Sequence, residues 1–190
     1  MTPPRHARRS FLIGTGAVTL SAAIAFVPSP AARSNPGDKQ APDDLEPAAA
    51  VAAVHAIKQL KARYFRAIDG KDWAMLRQQL TTDVEVDTSA SFGPITTGAD
   101  EFIDFLRLTI GPARTVHHGH MPEIEISSPT AATGVWALQD LLIFPGDIRV
   151  IGFGHYHERY ALVGDRWLIS SSKLTRIYLD PLGERQLFGV

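Results

Sequence analysis

In the middle of the chain, apolar residues recur every three or four positions, which is the spacing of amphipathic helices. The first predicted helix spans residues 48–68 and ends at the turn formed by Asp69 and Gly70. Asp72 is placed to cap a short second helix, and a third helix is predicted over residues 98–110. The apolar stripes of these helices contain Ile57, Leu60, Tyr64 and Ile68, then Trp73, Leu76 and Leu80, then Phe102, Phe105 and Leu106.

After the third helix the pattern changes to the alternation of β-strands, and a brief earlier strand is predicted over residues 84–87. Turns at residues 145–147 and 164–165 join the last three strands as hairpins. The strands predicted after the third helix span residues 114–118, 123–127, 131–144, 149–162 and 166–178. This order predicts an α+β domain in which a curved, cone-shaped antiparallel sheet packs against about three N-terminal helices and encloses a ligand cavity.

The N-terminal segment has the layout of an export signal. A basic head with Arg8 and Arg9 precedes a moderately apolar run over residues 11–27, and small residues follow. The arginine pair and the residues after it resemble the twin-arginine type of signal, which carries folded proteins across a membrane. An uncleaved anchor is the alternative, but the run is only marginally long and apolar enough to span. We expect cleavage, with no stable membrane insertion afterwards.

These features divide the chain into an export signal (1–32), a Pro- and Ala-rich linker (33–47) and one folded domain (48–190) in the periplasm or outside the cell. Loss of three arginines with the signal would move the formal charge from −1 to −4. No basic stripe remains, so nucleic acid is not an expected partner. With no cysteine, the chain can form neither a disulfide bond nor a zinc–thiolate site.

Asp140 is an acidic residue on an apolar strand face that it shares with Trp136, Leu138 and Leu142. An ionised carboxylate in such surroundings costs several kcal/mol unless it is paired. Either a kink exposes Asp140, or it pairs with an imidazole or guanidinium inside the cavity. His117 is the candidate imidazole, since a neutral histidine is the usual general base near pH 7 and a carboxylate fixes its tautomer. We therefore expect a hydrogen bond between His117 and Asp140.

Further histidines lie beside His117 at His118 and His120, and on a later strand at His155 and His157. Such a set raises the possibility of a metal site. The acidic residue of the second pair, Glu158, directly follows its histidine and points to the opposite face of the strand. We therefore expect no metal, and the roles of these histidines stay open.

Arg176, Tyr64 and Tyr156 are polar residues in apolar contexts. Arg176 either forms an interstrand ion pair or clamps an oxyanion or carboxylate of a substrate. The phenol of Tyr64 lies on a buried helix stripe and needs a hydrogen-bond partner, which is either structural or a ligand. Tyr156 follows Gly152 and Gly154, whose missing side chains we interpret as room for a flat ligand.

Three long blocks of the chain resemble the SnoaL-like, nuclear-transport-factor-2-like superfamily, and among its enzymes most closely bacterial bile acid 7α-dehydratase. They are AIKQLKARYFRAIDGKDW, VHHGHMPEIEISSPTAATGVWALQDLLIF and RWLISSSKLTRIYL. The resemblance implies the cone-shaped α+β fold, a homo-oligomer (dimer or trimer) and a cofactor-independent dehydratase. It places the catalytic positions on Tyr64, Asp69, His117, Asp140 and Arg176. Additional candidate contacts with substrate are Tyr156, Trp136 and His120.

By this resemblance, His117 removes a proton from a steroid-like or other polycyclic enone while Asp140 holds the imidazole. Tyr64, supported by Asp69, donates to the enolate oxygen, and Arg176 orients a polar end of the substrate. The partner is thus a small apolar or amphipathic substrate. Two alternatives stay open: a non-catalytic periplasmic module that binds an apolar ligand, and a ketosteroid-isomerase or cyclase type of enzyme.

Overall fold

The first helix of the protein follows its apolar stripe closely. A computed structural model describes residues 45–180, and the predicted signal and most of the linker lie outside them. Helix α1 (Pro47–Asp69) has a proline in its first turn and ends one residue beyond the prediction. Helix α2 (Trp73–Arg77) is capped as predicted, because the Asp72 carboxylate accepts a hydrogen bond from the Met75 backbone N–H. Helix α3 (Ala99–Thr109) carries two acidic residues in its first turn.

Six strands form one curved sheet in the order β2-β1-β6-β5-β4-β3. The strands are β1 (Leu80–Asp87), β2 (Ile95–Thr97), β3 (Arg114–Ser128), β4 (Ala131–Phe144), β5 (Ile148–Val163) and β6 (Arg166–Asp180). The two predicted strands at 114–118 and 123–127 are one strand, β3. Its pairing with β4 continues across an irregularity between His120 and Glu123.

The predicted α+β fold, a curved sheet with three helices, is confirmed, but the sheet is mixed where an antiparallel one was predicted. Strand β1 runs parallel to β6, whereas the other neighbouring strands are antiparallel. Residue alternation reveals where a strand lies but not the direction of a partner far along the chain. The helices are also not all N-terminal, since α3 follows β1 and β2. The prediction missed β2 and a short 3-10 helix at Ser89–Ser91, and Leu80, assigned above to the second helix, begins β1.

A close contact between α1 and the edge strand β3 sets the position of the site. A Cβ atom at Gly119 would lie 2.6 Å from Cε2 of Phe65, so a side chain at this position would displace the Phe65 ring of α1 from the strand. The apolar face of α1 is buried in the core, with Ile57 and Leu60 fully covered. As a result, the C-terminal end of α1 lies beside the inner face of β3. Among residues 45–180, no helix is long and apolar enough to cross a membrane.

Candidate active site

A cavity of about 320 Å³ lies between the inner face of the sheet, α1, α3 and the 3-10 helix. Four of the five predicted catalytic residues, Tyr64, His117, Asp140 and Arg176, line it together with Tyr156. The fifth, Asp69, touches the cavity through its contact with His117. Most of the remaining wall is apolar, and it includes Ile68, Val86, Phe102, Phe105, Leu106, Leu142, Val150 and Leu174.

His117 is held by Asp69, at the last position of α1. Nδ1 of the imidazole lies 2.7 Å from Oδ1 of Asp69, and Oδ2 accepts a hydrogen bond of 2.9 Å from the backbone N–H of His117. The Thr115 hydroxyl donates to Oδ1 at 2.9 Å. Nε2 of His117 makes no hydrogen bond within residues 45–180. The arrangement leaves this nitrogen for a molecule in the cavity, because the carboxylate accepts the proton on Nδ1.

A lysine completes the support of Asp69. Nζ of Lys71 donates to the Thr115 hydroxyl at 2.8 Å, so a chain of hydrogen bonds runs from Lys71 through Thr115 and Asp69 to His117. Partial burial acts to raise the pKa of Asp69, but the hydrogen bonds from the side chain and backbone of His117 outweigh it, and the pKa is lowered. Asp69 is therefore a carboxylate at neutral pH. Lys71 and Thr115 were not identified from the sequence, although Thr115 precedes His117 by two positions on the same strand face.

Asp140 pairs with Arg176 and not with His117, which corrects the predicted hydrogen bond. His117 and Asp140 are direct neighbours across β3 and β4, as expected. However, the Asp140 carboxylate accepts two hydrogen bonds from Arg176, of 3.1 Å from Nη1 and 2.7 Å from Nη2. Nε of Arg176 donates to the hydroxyl of Ser91 at 2.9 Å. Of the two alternatives, Arg176 thus forms the interstrand ion pair, which engages three of its five N–H groups.

Gly152 provides the space for this ion pair. It lies on β5 directly opposite Asp140, and a Cβ atom there would collide with both Nη1 of Arg176 and Oδ1 of Asp140. The missing side chain therefore accommodates a contact between β4 and β6 across the intervening strand. Our interpretation of Gly152 as room for a flat ligand was wrong.

The phenols of Tyr64 and Tyr156 face the cavity without a protein partner. The two residues are 3% and 7% exposed, and neither hydroxyl makes a hydrogen bond to any residue of the described range. The expected support of Tyr64 by Asp69 is thus not observed, because the Asp69 oxygens are used by His117 and Thr115. Burial raises the pKa of both phenols, so they are neutral hydrogen-bond donors.

Trp136 and His120 do not line this cavity, and their assignment as substrate contacts stays a prediction. Nε1 of Trp136 donates to the Tyr160 hydroxyl at 2.8 Å, and its ring is part of the core. His120 lies at the surface of β3, with its ring centroid 5.7 Å from that of His118. Within residues 45–180, no group of three histidine or acidic side chains is arranged to hold a metal ion.

The sequence pattern of the SnoaL-like domain matches residues 49–173, which is most of the chain. The chain belongs to the SnoaL-like domain family. This assignment agrees with the curved sheet and its three helices, which form the nuclear-transport-factor-2-like fold.

Three known proteins are similar to this SnoaL-like protein at low sequence identity. A probable cyclase of Gibberella zeae, FGR4, is 23% identical over 138 residues, which cover 66% of this chain and 92% of the cyclase. A structure assigned as a scytalone dehydratase of Novosphingobium aromaticivorans is 20% identical, with a TM-score of 0.65 over 73% of this chain and 93% of that one. Hexachlorocyclohexane dehydrochlorinase LinA-type3 of Novosphingobium barchaimii is 17% identical, with a TM-score of 0.65 over 76% of this chain and 100% of the dehydrochlorinase. At these identities the two structures show a shared fold.

Proposed function

We propose that this SnoaL-like protein is a cofactor-independent lyase that eliminates water from a steroid-like or other polycyclic enone, of the bile acid 7α-dehydratase type. The observation that carries the proposal is the pair formed by His117 and Asp69. Its geometry, 2.7 Å between Nδ1 and Oδ1, leaves the second imidazole nitrogen available at the cavity that the unpartnered phenol of Tyr64 also lines. A positioned base and a positioned donor are what enolisation of a ketone requires.

The first step is removal of a proton by Nε2 of His117 from a carbon that is acidified by conjugation to the ketone. Asp69 holds the neutral imidazole in the tautomer that carries its proton on Nδ1, and it stabilises the imidazolium that forms. Negative charge then develops on the ketone oxygen. A hydrogen bond from Tyr64 to that oxygen would be worth about 3 kcal/mol in the transition state.

In the second step the enolate electrons form the new carbon–carbon double bond as the carbon–oxygen bond breaks. The imidazolium of His117 returns its proton to the departing hydroxyl, and water leaves. The base is thereby regenerated, and no electron donor or acceptor is consumed. The mostly apolar walls around His117 support these two steps, because they exclude water that would compete for its proton.

The charges of the cavity favour a neutral substrate. The Asp140 carboxylate neutralises the charge of Arg176, so this pair offers little net attraction to a substrate carboxylate. The volume of about 320 Å³ is at the small end of the range for ligand sites. A compact polycyclic ketone therefore fits the cavity better than an acid or a coenzyme A conjugate.

The direct test is incubation of the purified protein with 3-oxo-4-ene 7-hydroxysteroids, followed by the absorbance of the conjugated diene and by the loss of one water in the mass spectrum. We expect diene formation that is abolished by His117→Ala. Tight binding without turnover would instead identify a binding module for apolar ligands.

A cyclase of the same base chemistry is the second candidate, and the match to the probable cyclase of Gibberella zeae favours it. A cyclisation starts with the same removal of a proton by His117 but forms a carbon–carbon bond and keeps the mass of the substrate. The mass spectrum of the same incubations therefore separates the two activities.

We further propose, from the sequence of its first 32 residues, that the protein is exported by a twin-arginine type of signal. A protein outside the cytoplasm would not meet a coenzyme A thioester, which again favours a free ketone. We also propose that it assembles as a homo-oligomer, a dimer or a trimer, which light scattering of the purified domain would test.

A further inference from the structure

A fully buried ion pair lies behind the cavity. Lys61 on α1 and Glu158 on β5 are both inaccessible to solvent, and Nζ is 2.5 Å from Oε1. Glu158 also accepts hydrogen bonds from the hydroxyls of Tyr160, at 2.6 Å, and Ser172, at 3.1 Å. Burying a charged pair costs several kcal/mol that the attraction between the charges only partly offsets, so such a pair is weak evidence for a role in stability alone.

The ammonium of Lys61 is surrounded by aromatic rings. Nζ lies 3.8 Å from the ring centroid of Tyr156, 4.2 Å from that of Tyr64 and 4.7 Å from that of Phe65. These distances are within the range of cation–π attraction. We call this arrangement the Lys61 cage. It brings two side chains from different elements, Tyr64 on α1 and Tyr156 on β5, against one positive charge.

Both phenols of the cage face the cavity with protons that the protein does not use. Ser91, whose hydroxyl accepts a hydrogen bond from Nε of Arg176, is a further cavity hydroxyl without an acceptor among residues 45–180. Thr88, Thr109 and Ser172 also line the cavity, but each donates its hydroxyl proton to a protein oxygen. Tyr64 and Tyr156 are more than nine-tenths buried and have no partner within residues 45–180. Among the described residues, the fully buried side-chain polar atoms without a partner are the hydroxyls of Thr81 and Thr96. The two phenol hydroxyls therefore reach the cavity, where each can donate to an acceptor of a ligand.

We propose that Tyr64 and Tyr156 together form an oxyanion-binding site, and that Lys61 is the positioning residue that sets both rings. The ammonium holds the two rings by cation–π attraction, so that both hydroxyls are presented to the same cavity. Burial, with the negative charge of Glu158 as a further contribution, raises the pKa of both phenols and keeps them protonated. The assignment of the bound anion as a substrate enolate rests on the proposed function, whereas the oxyanion preference can be measured without turnover.

The probe is 2-naphthol, whose neutral and ionised forms differ in absorbance and whose two fused rings suit the cavity. We expect wild-type protein to bind naphtholate at least tenfold more tightly than naphthol. Tyr64→Phe and Tyr156→Phe should each lower this preference roughly ten- to a hundredfold, the range for a hydrogen bond to a charged group. Tyr178→Phe, outside the cavity, is the matched control and should leave it unchanged. An unchanged preference in Tyr156→Phe would overturn the paired site.

The role of Lys61 is tested with Lys61→Met/Glu158→Gln, which removes both charges and leaves neither partner buried alone. We expect the naphtholate preference to fall at least threefold while the affinity for neutral naphthol is kept. A merely structural role would weaken both forms equally. A second measurement needs no variant: in ¹⁵N-lysine-labelled wild-type protein, the resonance of the buried ammonium should shift when naphtholate binds. Absence of that shift would reject the positioning role.

The two proposals fail separately. If naphtholate preference depends on both phenols but no steroid is dehydrated, the oxyanion site stands and the proposed function falls. If a steroid is dehydrated at the wild-type rate by Tyr156→Phe, the function stands and Tyr156 has no part in it.

Discussion

The imidazole of His117 on β3 and the carboxylate of Asp69 at the end of α1 meet at 2.7 Å, although 48 residues separate them in the chain. Their contact depends on the packing of α1 against the edge strand, which Gly119 permits. The same carboxylate accepts the backbone N–H of His117, so the pair is joined at two points. This geometry makes Asp69, and not Asp140, the residue that orients the proposed base.

The first prediction compares two identical substitutions at these carboxylates. Asp69→Asn should lower turnover of a 3-oxo-4-ene 7-hydroxysteroid by roughly 10²- to 10⁴-fold, because the amide can hold the wrong imidazole tautomer and cannot stabilise imidazolium. Asp140→Asn should lower turnover per folded molecule by less than tenfold, because the His117–Asp69 pair stays intact. His117→Ala/Asp69→Asn should be little slower than His117→Ala, as residues acting as a unit are non-additive. The reverse order of the two Asn variants would restore Asp140 as the partner of His117.

The second prediction concerns stability. Asp140 is 3% exposed and pairs with Arg176, so Asp140→Ala leaves a mostly buried guanidinium without its counter-charge. We expect the free energy of unfolding in urea to fall by about 3–5 kcal/mol. Asp147→Ala, which removes the exposed pair with Arg149, is the control and should cost less than about 1 kcal/mol. Equal losses in the two variants would mean that the Asp140 pair is not structural.

The third prediction concerns pH. The pKa of Asp69 in the fold lies below its ordinary value of 3.8, so its carboxylate stabilises the folded state above that pH. The contribution is lost as the pH falls from 3.8 through the folded pKa. The difference in unfolding free energy between wild-type protein and Asp69→Asn should therefore shrink as the pH falls below 3.8. A difference that grows below pH 3.8 would contradict the lowered pKa.

The positions of most elements could be predicted from the sequence, because amphipathic stripes and alternation are local properties of the chain. The hydrogen-bond partners of the charged side chains could not be predicted in this way. Asp140 and His117 were recognised as neighbours, yet the carboxylate bonds to Arg176, which lies two strands away. The sequence feature related to this ion pair is Gly152, whose missing side chain leaves space for Asp140 and Arg176 to meet. A glycine in a strand, however, does not indicate which groups occupy that space. The parallel pairing of β1 with β6 likewise could not be predicted from the local residue pattern, because the two strands are far apart along the chain.

The fourth prediction concerns export. Changing Arg8 and Arg9 together to lysine should leave unprocessed precursor in the cytoplasm, because a twin-arginine type of signal requires the guanidinium pair. Cell fractionation and immunoblotting would detect this precursor. Changing Arg33 and Arg63 to lysine, outside the signal, is the control and should leave export unchanged. Normal export of the Arg8 and Arg9 variant would mean that the general secretory route is used.

The hydrogen bond from the backbone N–H of His117 to Asp69 has a consequence for chemical rescue. It does not depend on the side chain at position 117, so Asp69 should keep its orientation in His117→Ala, with Thr115 still donating to it. The space left by the imidazole ring then has a correctly aimed carboxylate at its base. Added imidazole should enter that space, bind to Asp69 and restore part of the lost turnover, with a rate that saturates as its concentration rises. The folded His117→Ala variant thus retains a binding site for imidazole, the group that the substitution removes.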